Sequence, residues 1–202
     1  PTFGDEVRTF CMNPNGEVVQ ENYSGIATVN GHSYANYKTP NTNFALLVSE
    51  KFTEPFKEPI QYGQHIARLA NMLGGGILVQ RFGDLLEGRR STPERIASSV
   101  ITPTLTCATP GDLSLVIPYR QMTSIIEMLQ ALDKIAPGTA SRYTLLYGIE
   151  VKFYSARVKL TQQLETEGVK NLFTIGDGAG VTRGLLQASA SGVYVARTIC
   201  ER

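Results

Sequence analysis

An α+β fold is what the sequence predicts, and three observations predict it. Residues 1–50 are short β-rich runs separated by turn residues. Two later stretches place their apolar residues at helical spacing. The final stretch, "LFTIGDGAGVTRGLLQASASGVYVARTI" from Leu172 to Ile199, reads as a strand, a glycine turn and a helix.

In the N-terminal part, "RTFCM" and "EVVQ" flank Asn13-Pro14-Asn15-Gly16, where proline suits a turn's second position and glycine its last. "IATV" and "HSY" flank Asn30-Gly31, the residue pair that best tolerates positive φ in a two-residue hairpin. "FALLVS" from Phe44 adds a strand, so a small sheet or barrel is expected. The asparagines at 13, 15, 41 and 43 read as turn chemistry rather than ligands.

From Tyr62 the period changes. Ile66, Leu69, Ala70 and Leu73 follow the spacing of a helix face, with Gly74 available to end it. "GGGILVQ" returns to strand. At "STPERIASSV", Thr92 precedes a proline suited to the first helical position, and Ser91 stands three before Glu94 as in a capping box. Ile125, Ile126, Met128, Leu129, Leu132 and Ile135 form one broad stripe, which predicts a helix opened near Pro118 and closed by Pro137-Gly138. "YTLLYGIEVKFYS" and "NLFTIGD" are expected strands, and the last helix runs from about Gly184 to Ile199.

Composition narrows the function classes. The 202 residues suffice for one large or two small domains. Nineteen Lys and Arg balance 18 Asp and Glu to a formal charge of +1, so no overall field favours nucleic acid or an anionic membrane as partner. Cys11, Cys107 and Cys200 are far apart and in no CxxC spacing, which predicts neither disulfide framework nor zinc and points to a cytoplasmic setting. His32 and His65 have no ligand-type neighbours at metal spacing, so no metal site is expected. No apolar run approaches the roughly 20 residues of a membrane span. The chain begins at Pro1 rather than Met and is expected to be a piece of something longer.

Gly178, Gly180 and Gly184 form G-x-G-x-x-x-G where a strand meets a helix. A first dinucleotide-binding turn would be followed by a second strand and an acidic residue about 20 positions on. The sequence after this turn shows no second strand, and Glu201 sits in none; taken alone the turn reads as a tight turn with a helix N-cap. "TIGDGAGVTRGLLQASASG", taken with "RTFCMNPNGEVV", "NTNFALLV", "QRFGDLLEGRRSTPERI", "GDLSLVIPYR" and "TLLYGIEVKFYS", resembles the NAD(FAD)-utilizing family of FAD-dependent dehydrogenases.

The resemblance implies a Rossmann-like flavoprotein with residues 1–150 as an inserted substrate or cap domain. Residues 151–202 would then be the C-terminal element of the FAD domain, and the N-terminal FAD-binding βαβ unit would lie upstream. It implies FAD contacts from Gly176, Asp177, Gly178, Ala179 and Gly180, continuing through Val181, Thr182, Gly184 and Leu185. Asp177 can accept hydrogen bonds from ribityl hydroxyls, and the glycines let backbone approach the cofactor. The start of the last helix would face the pyrimidine edge and favour reduced flavin.

The expected function is that of a fragment of an FAD-dependent oxidoreductase, inactive and without FAD on its own. Its partners would be the missing FAD domain, a small-molecule substrate, NAD(P)H as a further redox partner, and another copy through an exposed terminal helix. The alternative is a non-catalytic binding or interaction module. Tyr147 and Glu150 are the candidates for lining the active site, although strand alternation also explains them. Arg81, Arg89 and Arg90 could receive a phosphate or carboxylate, but interspersed with Asp84 and Glu87 they read better as a self-neutralising, solvated turn.

Overall fold

The computed structural model describes residues 1–50, 52–151 and 157–201. The fold is α+β. The chain divides into two compact units, Pro1–Val151 and Lys152–Arg202.

The first unit opens with four strands, β1 (Glu6–Asn13), β2 (Glu17–Tyr23), β3 (Ile26–His32) and β4 (Asn43–Ser49). They form two antiparallel pairs, β1 with β4 and β2 with β3, and both expected hairpins are therefore corrected. The Asn13–Gly16 turn joins strands of different pairs: β1 runs along β4 from Glu6 opposite Ser49 to Phe10 opposite Ala45. Asn15 is instead bound to the returning loop, giving its carbonyl to Thr39 N at 3.0 Å and its side-chain amide to Thr39 O at 3.1 Å.

Asn30-Gly31 is no turn at all. It lies within β3, opposite Val19 and Val18. The hairpin bends at Ser24-Gly25, whose φ values of 50° and 80° give the two left-handed residues that such a turn requires. Gly31 owes its identity to packing, because a Cβ there would collide with the side chains of Asn13 and Asn43.

Helix α1 (Pro59–Gly74) begins before Tyr62, with proline at the start of its first turn. It closes on Gly75, φ 67°, one residue later than expected. On its inner side Asn71 pairs with β3 much as a neighbouring strand would. Its Oδ1 accepts from Ala27 N at 2.8 Å, and its Nδ2 donates to Ala27 O at 2.9 Å.

Strand β5 (Leu78–Arg81) is buried throughout. It is the centre of a three-stranded sheet, with β6 (Thr109–Pro110) parallel on one side and β7 (Leu145–Gly148) antiparallel on the other. The expected longer strand at "YTLLYGIEVKFYS" is confined to Leu145–Gly148, and its residues 152–155 lie outside the described residues.

A short helix that the sequence reading did not anticipate, α2 (Phe82–Leu86), follows β5 directly. In α3 (Pro93–Ala97) the cap is Thr92, whose hydroxyl accepts from Arg95 N at 3.3 Å. The expected capping role of Ser91 is corrected, because its hydroxyl is turned inward to Asp84.

Helix α4 (Tyr119–Asp133) carries the predicted stripe as far as Leu132. Ile135, beyond its end, is 81% exposed. The core gathers Ala70, Leu78, Phe82, Leu113, Met122, Leu129 and Ile149, with Ile125 and Ile126 packed against it. Each such Leu or Phe contributes roughly 1.5–3 kcal/mol by leaving water.

In the second unit the expected strand at "NLFTIGD" does not form. Among the described residues the unit has isolated bridges from Phe173 to Glu165 and from Leu160 to Thr166. Left-handed residues at Leu164 and Asn171, φ 62° and 59°, curl the chain away from a ladder. A 3₁₀ turn (Asp177–Ala179) then leads to α5 (Leu185–Cys200), close to the bounds the sequence predicts. Val195 is buried, whereas Leu185 and Leu186 are 90% and 81% exposed. Among the described residues no helix is long and apolar enough to cross a membrane.

Candidate functional site

The glycine turn is shaped by residues that only glycine suits. Gly176 and Gly180 have φ values of 74° and 69°, on either side of the 3₁₀ turn that starts at Asp177. Gly176 N donates to Ser191 Oγ at 3.1 Å, and that hydroxyl donates onward to Ala188 O at 2.7 Å, tying the entry of the turn to the middle of α5.

The Asp177 carboxylate is exposed and organises the same loop. Its Oδ1 accepts from the Thr182 hydroxyl at 2.6 Å and from Gly184 N at 3.2 Å. It thus spans the turn like an N-cap, using a charged acceptor where donors converge. The N-cap of α5 is Gly184, which has no side chain with which to cap the first helical amides, so among the described residues the positive end of the helix carries only the Asp177 carboxylate at Gly184 N.

Of the residues the resemblance points to, Ala179 is buried, Gly176, Gly180, Val181, Thr182 and Gly184 are half-buried, and Gly178 and Leu185 are exposed beside Asp177. At Gly178 the space a Cβ would take is open, with no heavy atom within 4 Å. The arrangement fits a flavin nucleotide chemically: an exposed carboxylate for hydroxyls, an approachable backbone, and an uncapped helix start for negative charge.

Tyr147 and Glu150 belong to the first unit. Tyr147 sits on β7 opposite Val79. Burial pushes its phenol up to about 12, against an opposing contribution from the Thr104 backbone. At neutral pH it is a neutral phenol, a donor and no base. Glu150 is half-buried just past the end of β7.

The "QRFGDLLEGRRST" reading needs correction. Arg90 is exposed as expected, but Arg81 is buried, and Gln80, Asp84 and Ser91 are fully buried. Asp84 accepts from Ser91 Oγ at 2.8 Å and from Arg89 Nε at 3.0 Å, and Arg81 Nε lies 3.7 Å away. The Arg81 guanidinium donates to Arg95 O at 3.0 Å and stacks on Tyr143. Gln80 accepts from Leu113 N at 2.8 Å and donates to Arg89 O at 2.9 Å.

Burial alone would push the Asp84 carboxyl up. The hydrogen bonds from Ser91 and Arg89 and the two arginine charges outweigh it, and the group lies below the usual carboxylate range. Asp84 shares the short helix α2 with the buried Phe82 and Leu85, three residues apart on it, and is buried beside them. The cluster binds β5, α2 and the following loop together and is structural.

His32 contacts the Tyr34 ring at 4.3 Å, and His65 is exposed on α1. Among the described residues no group of three or more His, Cys, Asp or Glu is placed to hold a metal ion.

Comparison with known proteins adds two findings. Residues 2–153 match the model of the family described as "FAD-dependent protein, C-terminal domain-like". An uncharacterised protein of Clostridium beijerinckii is 32% identical over 208 residues, a similarity covering 97% of this chain and 38% of the relative. The chain thus spans well under half the length of that relative. The family match falls almost wholly in the first unit, so it is independent of the glycine turn. With most of its length matched, the chain belongs to the FAD-dependent protein, C-terminal domain-like family.

Proposed function

We propose that this chain is part of an FAD-dependent oxidoreductase, with residues 1–150 as a substrate or cap domain inserted into a Rossmann-like FAD domain. The turn from Gly176 to Leu185 contributes the ribityl and pyrimidine side of the cofactor site. The observation that carries the reading is the exposed Asp177 carboxylate, held at the mouth of an open glycine turn beside an uncapped helix start. Family membership supports it from the other unit.

When bound, FAD would supply the electron-transfer chemistry. The residues of this chain would bind and orient it. Asp177 accepts hydroxyls, the peptide units around Gly178 lie against the cofactor, and the first-turn amides of α5 face negative charge. Tyr147, neutral over the physiological range, can donate a hydrogen bond to a substrate but cannot remove a proton from it. NAD(P)H is the expected electron partner.

A second reading has its own observation: Thr182 and Gly184 already use Asp177 as a turn organiser. Variants of the full-length protein separate the two. Stripped of FAD and titrated back, Asp177→Ala should bind FAD more weakly by about 1.5–3 kcal/mol, roughly ten- to a hundred-fold, with Asp177→Asn between it and the original. Equal dissociation constants, with a lowered melting temperature for the alanine variant alone, leave Asp177 a turn residue and defeat the cofactor contact.

A further inference from the structure

Ahead of β1, residues 2–5 are seated on one face of α4. Arg120, Ser124 and Glu127, spaced four and three apart on that helix, make up the face. One carboxylate oxygen of Glu127 accepts from Thr2 N at 2.7 Å, and the other accepts from the Thr2 hydroxyl. Arg120 Nε donates to both carboxylate oxygens of Asp5 at 3.0 Å, and its Nη2 donates to Phe3 O at 3.2 Å. The guanidinium also lies over the Phe3 ring, 5.5 Å from its centroid, and Tyr119 meets that ring edge-on at 6.0 Å. Ser124, fully buried, donates to Asp5 Oδ2 at 3.1 Å.

These contacts differ in kind from those of the core. Among the described residues the apolar cluster takes none from this segment, and Phe3 is 37% exposed. The strand ladder starts only after it, with Glu6 opposite Ser49. Arg120, which makes most of the contacts, is itself half exposed. A segment held by hydrogen bonds and an ion pair at the water boundary opens at a lower free energy than the fold it rests on.

We propose that residues 2–5 are a releasable strap, closed on α4 through Arg120, Ser124 and Glu127 and able to open while the rest of the first unit stays folded. Gly4, at φ 69°, lies between the two residues that Arg120 holds. In the proposed flavoprotein the strap sits where the chain enters the cap domain, so opening it frees that domain to tilt and closing it fixes the entry. That consequence, and not the strap itself, rests on the flavoprotein reading.

The chain contains no tryptophan, so Phe3→Trp adds a single fluorescent reporter that keeps an aromatic ring beneath the guanidinium. Acrylamide quenching and fluorescence anisotropy of the 202-residue chain then read the strap. The indole should be shielded relative to the same chain unfolded in urea. Adding Arg120→Gln or Asp5→Asn should raise the quenching constant about twofold or more and lower the anisotropy, and Arg90→Gln should change neither. Salt near 1 M, where the Debye length is about 3 Å, should raise quenching in the Phe3→Trp chain but add nothing once Arg120→Gln is present. Circular dichroism should be unchanged, with the melting temperature lowered by less than about 4 °C.

Without the reporter, the Arg120 Nε proton should exchange with solvent at least about tenfold faster in Asp5→Asn, as read by nuclear magnetic resonance. An indole as accessible as in urea, together with an Arg120 Nε proton that Asp5→Asn leaves unmoved, overturns the inference. So does opening that comes only with loss of the circular dichroism signal. Failure of the flavoprotein reading leaves every one of these results as stated, because the measurements involve no flavin.

Discussion

Replacing Asp84 tests whether the buried polar cluster holds the first unit together. Its carboxylate is fully buried, and the Arg81 side chain beside it is 8% exposed. Asp84→Ala removes the acceptor of Ser91 and Arg89 and leaves the Arg81 cation in the interior without its neighbouring anion. Breaking such a pair from one side costs about 3–5 kcal/mol. In a domain of this size each kcal/mol moves the melting temperature by about 2–4 °C, so a fall of roughly 6–20 °C is expected.

Asp84→Asn keeps the shape and an acceptor for Ser91 and should lose about 1.5–3 kcal/mol. The acid limb gives a second reading. The folded-state value of this carboxyl is depressed, so its contribution is complete above the ordinary aspartate value near 3.9 and disappears as pH falls through the lower folded value. Urea unfolding followed by circular dichroism at neutral pH and in acid measures both. An alanine variant within about 0.5 kcal/mol of the original, with an unchanged acid limb, would refute the reasoning.

The strand register has its own test. Gly31→Ala should cost about 1–3 kcal/mol through overpacking against Asn13 and Asn43. Asn30→Ala should cost less than about 1 kcal/mol, and a reversed order in urea unfolding would return the hairpin to Asn30-Gly31. The raised phenol of Tyr147 predicts selective chemistry. Tetranitromethane, which attacks phenolate, should nitrate Tyr119 and Tyr37, 78% and 55% exposed, at about pH 8, well below the ordinary tyrosine value. Tyr147 should stay unmodified, and its nitration on peptide mapping would contradict the raised phenol.

Helical periodicity was the most legible signal. The stripe through Ile125, Ile126 and Leu129 and the terminal glycine-to-helix transition specify α4 and α5 to within a few residues. Strand pairing was less legible, because turn propensity is local and pairing is not. Asn30-Gly31 has the better hairpin composition, yet Ser24-Gly25 makes the turn, and the close approach of Asn13 and Asn43 explains Gly31. The glycine turn could be read from spacing, but not that Asp177 spans it to Thr182 and Gly184. "QRFGDLLEGRRST" looked solvated because its charges balance along the chain; the structure balances part of them inside.

The side chain of Asn71 has a consequence for how this protein avoids its own copies. A two-stranded ribbon exposes a row of donors and acceptors on each flank, and such a row is a template on which an identical chain can assemble. At Ala27 both main-chain groups are taken by one amide from α1. A little further along, Val29 N is taken by Ile149 O at 3.2 Å. Positions that could seed intermolecular stacking during synthesis or storage are thus satisfied from within, by an asparagine that ends the ribbon's growth at two strands.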